Sequence, residues 1–126
     1  GYDEVCQALL LHGADVESSN SQGTALHHAA VSGHTSTVSL LLAHGADTTA
    51  KARTGASPLH LASQSGYLDT VLTLCRAGAD ITAVKDDGAA AIHVAAQKGH
   101  GDVVLALVDQ GCDINLVSKH SIAWVL

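Results

Sequence analysis

Ser57-Pro58-Leu59-His60-Leu61-Ala62, followed by Gly66 and closed by Gly78-Ala79-Asp80, is the stretch from which the rest of the chain can be read. Thirty-three residues earlier, His27 stands in Ala25-Leu26-His27-His28-Ala29-Ala30; thirty-three later, His93 stands in Ala91-Ile92-His93-Val94-Ala95-Ala96. A fixed period of this size marks supersecondary units that cannot bury their apolar faces alone and must stack on one another.

Within the unit, Ser57 occupies an N-cap and Pro58 a first helical position, so the segment from Pro58 to Ser65 is expected to be a short helix. A second helix is expected over 68–77, with Leu68, Val71, Leu72 and Cys75 at helical spacing and Gly78 supplying the left-handed residue that ends it. The residues between units carry Asp, Lys and a tip glycine, which is turn chemistry. Gly1, Gly33, Gly66 and Gly99 precede the second helices in steps of 32, 33 and 33. The short step falls at Gly23, where one residue is missing from a turn tip.

Hydrophobic residues make up 47% of the 126 and charged residues 14%, too apolar a mix for disorder, while 2% aromatic content leaves burial to Leu, Val, Ile and Ala. The net charge of -6 lacks the basic excess of a general nucleic-acid binder. No apolar run approaches the roughly 20 residues that span a bilayer. Cys6, Cys75 and Cys112 form no CxxC and are odd in number, which points away from a disulfide framework and toward a reducing compartment, the cytoplasm or the nucleus. Because Gly1 falls inside a unit, the chain is expected to be part of a longer one.

The run Gly55-Ala56-Ser57-Pro58-Leu59-His60-Leu61-Ala62, the pairs Gly33-His34 and Gly99-His100, and Gly-Ala-Asp at 13–15, 45–47 and 78–80 resemble an ankyrin-repeat array over essentially the whole chain. The resemblance implies an all-α repeat solenoid of stacked helix-turn-helix units with projecting hairpin-like fingers and a concave partner-binding side. On that reading 1–126 is one array: a partial repeat at 1–19, full repeats at 20–51, 52–84 and 85–117, and the start of a degenerate repeat at 118–126, where Trp124 takes the Pro slot. In the third full repeat Ala90 replaces the capping Ser or Thr, and a weaker helix start is expected there. Elsewhere the capping hydroxyl is expected to accept a hydrogen bond from the motif histidine. His28 fills the slot of Leu61 and Val94, which the pattern directs inward; a partly exposed histidine beside an imperfect layer is expected there, with a pH-sensing role as the competing reading.

Nine histidines invite a metal reading. However, His27, His60 and His93 repeat one slot, and equivalent positions on stacked helices lie about 8 to 10 Å apart, too far for shared ligation at about 2.1 Å. The segment Gly99-His100-Gly101-Asp102-Val103-Val104 lacks the third glycine and preceding strand of a dinucleotide site and reads as a helix start. Without HExxH, GxSxG or a P-loop, no catalytic constellation, metal or cofactor is expected.

What remains is surface. The resemblance implies contacts at the ends of the first helices, Val31, Ser32, Gln64, Ser65, Gln97 and Lys98, and at the finger tips, Ser21, Gln22, Lys51, Arg53, Thr54, Lys85, Asp86 and Asp87. Five of the six basic residues fall on that side, including Lys119, while Asp69, Asp102 and Asp109 lie on second helices. A second resemblance, to substrates of the asparaginyl hydroxylase that modifies ankyrin repeats, marks Asn115, with Leu107 and Asp113 ahead of it; a purely structural role in its turn is the competing reading. The expected function is non-catalytic binding of another protein, rather than of DNA or a membrane. The alternative is a regulatory or substrate-recruiting segment of a larger enzyme, a ligase or kinase.

Overall fold

The structure is a computed structural model that describes Ala8, His12, Gly13 and residues 15–112. Two short strands, β1 (Ser19–Asn20) and β2 (Gly23–Thr24), lead into α1 (Ala25–Ser32) and α2 (Thr35–Ala43). A 3-10 turn at Arg53–Gly55 precedes α3 (Pro58–Ser65) and α4 (Leu68–Arg76), and the third unit contributes α5 (Ala91–Gln97) and α6 (Gly101–Asp109). Helices of seven to nine residues are marginal in isolation, so their stability comes from stacking. The stacking is sequential: α1 packs on α3 and α3 on α5, while α2 packs on α4 and α4 on α6. The molecule is a helical repeat solenoid with short hairpin turns.

The core repeats with the sequence. Leu26, Leu59 and Ile92 form one buried layer of the first helices; Leu41, Leu74 and Leu107 form another on the second helices. Each such side chain contributes about 2 kcal/mol by leaving water. Between them Ala29, Ala62 and Ala95 are buried, which lets the first helices approach closely.

The α3 helix has the expected bounds because its ends are chemically marked. Ser57 sits extended at φ -87 and ψ 167, Pro58 starts the helix, and Gly66 at φ 79 ends it. The second helix differs from expectation. It stops at Arg76, with Ala77 as its C-cap, and its buried face is Thr70, Val71 and Leu74. Leu68, Leu72 and Cys75 are only half-buried. A polar Thr70 can turn inward because its hydroxyl meets that of Thr35 at 2.8 Å, one repeat earlier.

The aspartates of the Gly-Ala-Asp triplets tie the following turn. Asp47 Oδ1 accepts from the Thr49 amide at 2.8 Å and its hydroxyl at 2.6 Å, and Asp80 does the same with Thr82 at 2.9 and 2.7 Å. These bonds hold both carboxyls below the usual carboxylate range.

Candidate partner-binding surface

The repeated histidines build the frame on which the surface is carried. The backbone N–H of Thr24, Ser57 and Ala90 each donates to Nδ1 of the histidine three residues on, at 3.0, 3.1 and 3.0 Å. An amide can only donate, so Nδ1 carries no proton and Nε2 carries it. Nε2 of His27 then donates to the Ala56 carbonyl at 3.1 Å, and Nε2 of His60 to that of Ala89 at 3.0 Å. Each histidine thus ties the start of its own helix to the finger of the next repeat. Burial pushes the imidazoles of His27 and His60 below their ordinary pKa and keeps them neutral.

This tautomer reverses one expectation. The Ser57 hydroxyl, 2.8 Å from Nδ1 of His60, donates to the ring instead of accepting from it, and its oxygen remains free to accept the His60 amide at 3.4 Å. At Ala90 only the backbone half of the arrangement exists, because a methyl group can neither donate to the ring nor accept the His93 amide.

A second repeated contact explains the Gly-His pairs. The Tyr67 ring lies over Gly33 and the His100 ring over Gly66, so closely that a Cβ on either glycine would meet ring atoms at 2.6 Å. His100 Nε2 also donates to the Gln64 carbonyl at 3.0 Å, closing the end of the preceding repeat's first helix.

The expected contact residues fall into two adjoining rows. Val31, Ser32, Gln64, Gln97 and Lys98 are exposed at or just beyond the ends of first helices, while Ser65 is half-buried and donates its hydroxyl to the Val31 carbonyl at 3.2 Å. At the tips, Ser21, Gln22, Lys51, Arg53, Thr54, Asp86 and Asp87 are exposed. The last two described fingers are pinned together by the Asp86 amide, which donates to the Thr54 carbonyl at 3.0 Å. Lys85 is half-buried and lies 3.7 Å from Asp87 on its own tip, so its charge is answered locally. Asn115, Lys119 and Trp124 lie outside the described residues.

Two features here depart from the repeat pattern. His28 is exposed, in keeping with an exposed histidine beside an imperfect layer and not with the inward direction of its slot, and lines a cleft of about 290 Å3 with Ala25, Ala29, Ser32, His34, Thr37 and Leu41. Thr54 adopts φ 65, a left-handed conformation for which a β-branched residue gives no sequence signal. Among the described residues no group of three His, Cys, Asp or Glu is placed to hold a metal, and no helix is long and apolar enough to cross a membrane. Burial raises the Cys75 thiol pKa, the opposite of what a nucleophile needs.

Comparison with known families agrees with this architecture. A family model described as ankyrin repeats, in three copies, matches residues 1–85, and one described as ankyrin repeat matches residues 87–119. No curated protein matches the chain.

Proposed function

The chain belongs to the ankyrin-repeat family, and from that premise we propose that it is a non-catalytic module holding a partner protein across its finger tips and the adjoining ends of its first helices. Ankyrin repeats are general protein-protein interaction modules. One observation carries the assignment to this surface: the frame is constant while the surface on it varies. His27, His60 and His93 are alike and alike buried, as are Leu26, Leu59 and Ile92. The tips outside them read Ser21-Gln22, Arg53-Thr54 and Asp86-Asp87. Variation at exposed positions of a repeated backbone is not demanded by folding, and it is where specificity is placed on a shared scaffold.

The chain's three cysteines, odd in number and without a CxxC, support work in a reducing compartment, the cytoplasm first.

The experiment is affinity capture with two surface variants of the full chain. Changing Gln22, Val31, Ser32, Gln64 and Gln97 together to alanine is expected to abolish capture of the partner. Changing Ser39, Asp69 and Leu105 on the exposed faces of second helices is expected to leave it intact, with unaltered circular dichroism in both. The opposite pattern removes the assignment to this surface.

A further inference from the structure

The finger at 51–54 departs from its neighbours in two independent ways. The first is charge. Across the same four positions of the hairpin, Ser19 to Gln22 carry none, Lys51 to Thr54 carry two positive charges, and Val84 to Asp87 carry one positive and two negative. Lys51 and Arg53 are exposed, and neither has an ion-pair partner among the described residues, whereas Lys85 is paired with Asp87. Two acids lie nearby without closing an ion pair: Asp80, whose carboxyl is lowered first by its bonds to Thr82 and to a lesser degree by the Lys51 charge, and Asp86, whose carboxylate lies against Gly55 at the end of the same finger.

The second departure is backbone. Thr54 is the one non-glycine residue with positive φ among those described, and its counterparts Gln22 and Asp87 do not share it. The conformation is held from three sides: the Gly55 amide donates to the Ala52 carbonyl at 3.1 Å, the Ala52 amide to Ala56 at 2.8 Å, and the Asp86 amide to Thr54 itself at 3.0 Å. Strain of this kind persists only where surrounding contacts over-determine it, and it collects at ligand clamps. Here it fixes the backbone that carries Lys51 and Arg53, so that only their side chains remain to be ordered on binding.

We propose that this finger anchors an acidic segment of the partner, with Lys51 and Arg53 together taking the carboxylates of its Asp or Glu side chains. The proposal rests on the partner-binding function argued above. The planar Arg53 guanidinium can hold one carboxylate by two parallel bonds, and the Lys51 ammonium supplies a second point of charge. The net charge of -6 strengthens the case: an acidic segment is repelled by most of this surface and drawn to one finger, which fixes its register.

The test uses the full chain and a panel of short immobilised peptides rich in Glu and Asp, each matched by a Gln and Asn version. Acidic peptides are expected to be retained, with affinity falling as salt rises and dropping about tenfold or more in the Lys51→Glu, Arg53→Glu double variant. Arg76→Glu, an exposed cation at the end of α4, is expected to change nothing. Equal retention of the Gln and Asn peptides, an equal loss in the Arg76 variant, or a preference for a single-stranded RNA oligomer over the acidic peptides each overturns the proposal. The two readings separate in the captured complex. If the double reversal leaves the native partner bound while the Gln22-to-Gln97 surface variant loses it, the anchor is wrong and the broader function stands.

Discussion

His60 reaches out of its own repeat: its Nε2 donates to the Ala89 carbonyl, 29 residues further on, while its Nδ1 receives the Ser57 amide. One neutral ring satisfies a buried donor and a buried acceptor in two different repeats. His27 does the same between Thr24 and Ala56.

This arrangement makes stability dependent on pH. The folded-state pKa of both histidines lies below the ordinary value of 6.5. Between the folded and unfolded values the unfolded chain binds more protons, so stability rises with pH in that window and is lost as pH falls from 6.5 toward the folded value. Each histidine contributes at most about 1.4 kcal/mol per pH unit. Urea midpoints are expected to hold steady above neutrality and to decline below pH 6.5, and a His60→Gln variant is expected to show a shallower decline. The carboxyls of Asp47 and Asp80, held below 3.8, lose their contribution only in more acidic solution, outside this window.

Ala90 offers a place to gain stability. It stands where Ser57 stands in the preceding repeat, with the same extended backbone at φ -84 and ψ 168, and its helix start has no side-chain cap. Ala90→Ser is expected to raise the unfolding free energy by about 1 kcal/mol, read from denaturant curves, by giving His93 the hydroxyl donor that His60 already has.

Ser63 offers another. Its hydroxyl is fully buried and has no hydrogen-bond partner among the described residues. The equivalent slots are Ala30 and Ala96. Removing an unsatisfied buried hydroxyl recovers its desolvation cost, so Ser63→Ala is expected to stabilise the fold by about 1 kcal/mol in the same assay.

Two glycines of similar conformation should respond differently to a methyl group. Gly66 has φ 79 and lies under the His100 ring; Gly78 has φ 92 and faces open space. Gly78→Ala is expected to cost about 1 to 2 kcal/mol for the left-handed backbone alone. Gly66→Ala adds displacement of His100 and loss of its bond to Gln64, for a total of about 2 to 4 kcal/mol. Thermal or denaturant unfolding of the pair measures the difference.

The legible parts of this fold are those marked by local chemistry. Ser57, Pro58 and Gly66 define both ends of α3 without reference to anything distant, and the period of the histidines announces the stacking. The less legible parts depend on partners far along the chain. Thr70 is buried in place of Leu68 or Leu72 because Thr35 meets it from the preceding repeat. His28, in the slot of a half-buried Leu61 and a buried Val94, is exposed. The candidate surface follows the same division. Exposure of Ser21, Gln22, Gln64 and Gln97 follows from their positions in the repeat, but the pairing of Lys85 with Asp87, which leaves Lys51 and Arg53 as the unpaired cations of the described fingers, depends on which side chains meet in the folded chain.

The bond from His60 to Ala89 also has a direction in time. A ribosome delivers the histidine first and its acceptor 29 residues later, an interval of about 1.5 to 6 seconds at ordinary rates of synthesis. Helices of this length form in microseconds or less, so the ring waits on translation and not on chain motion. Each repeat is therefore completed only when the next finger has emerged, and the array is finished from its first unit toward its last in step with its own synthesis.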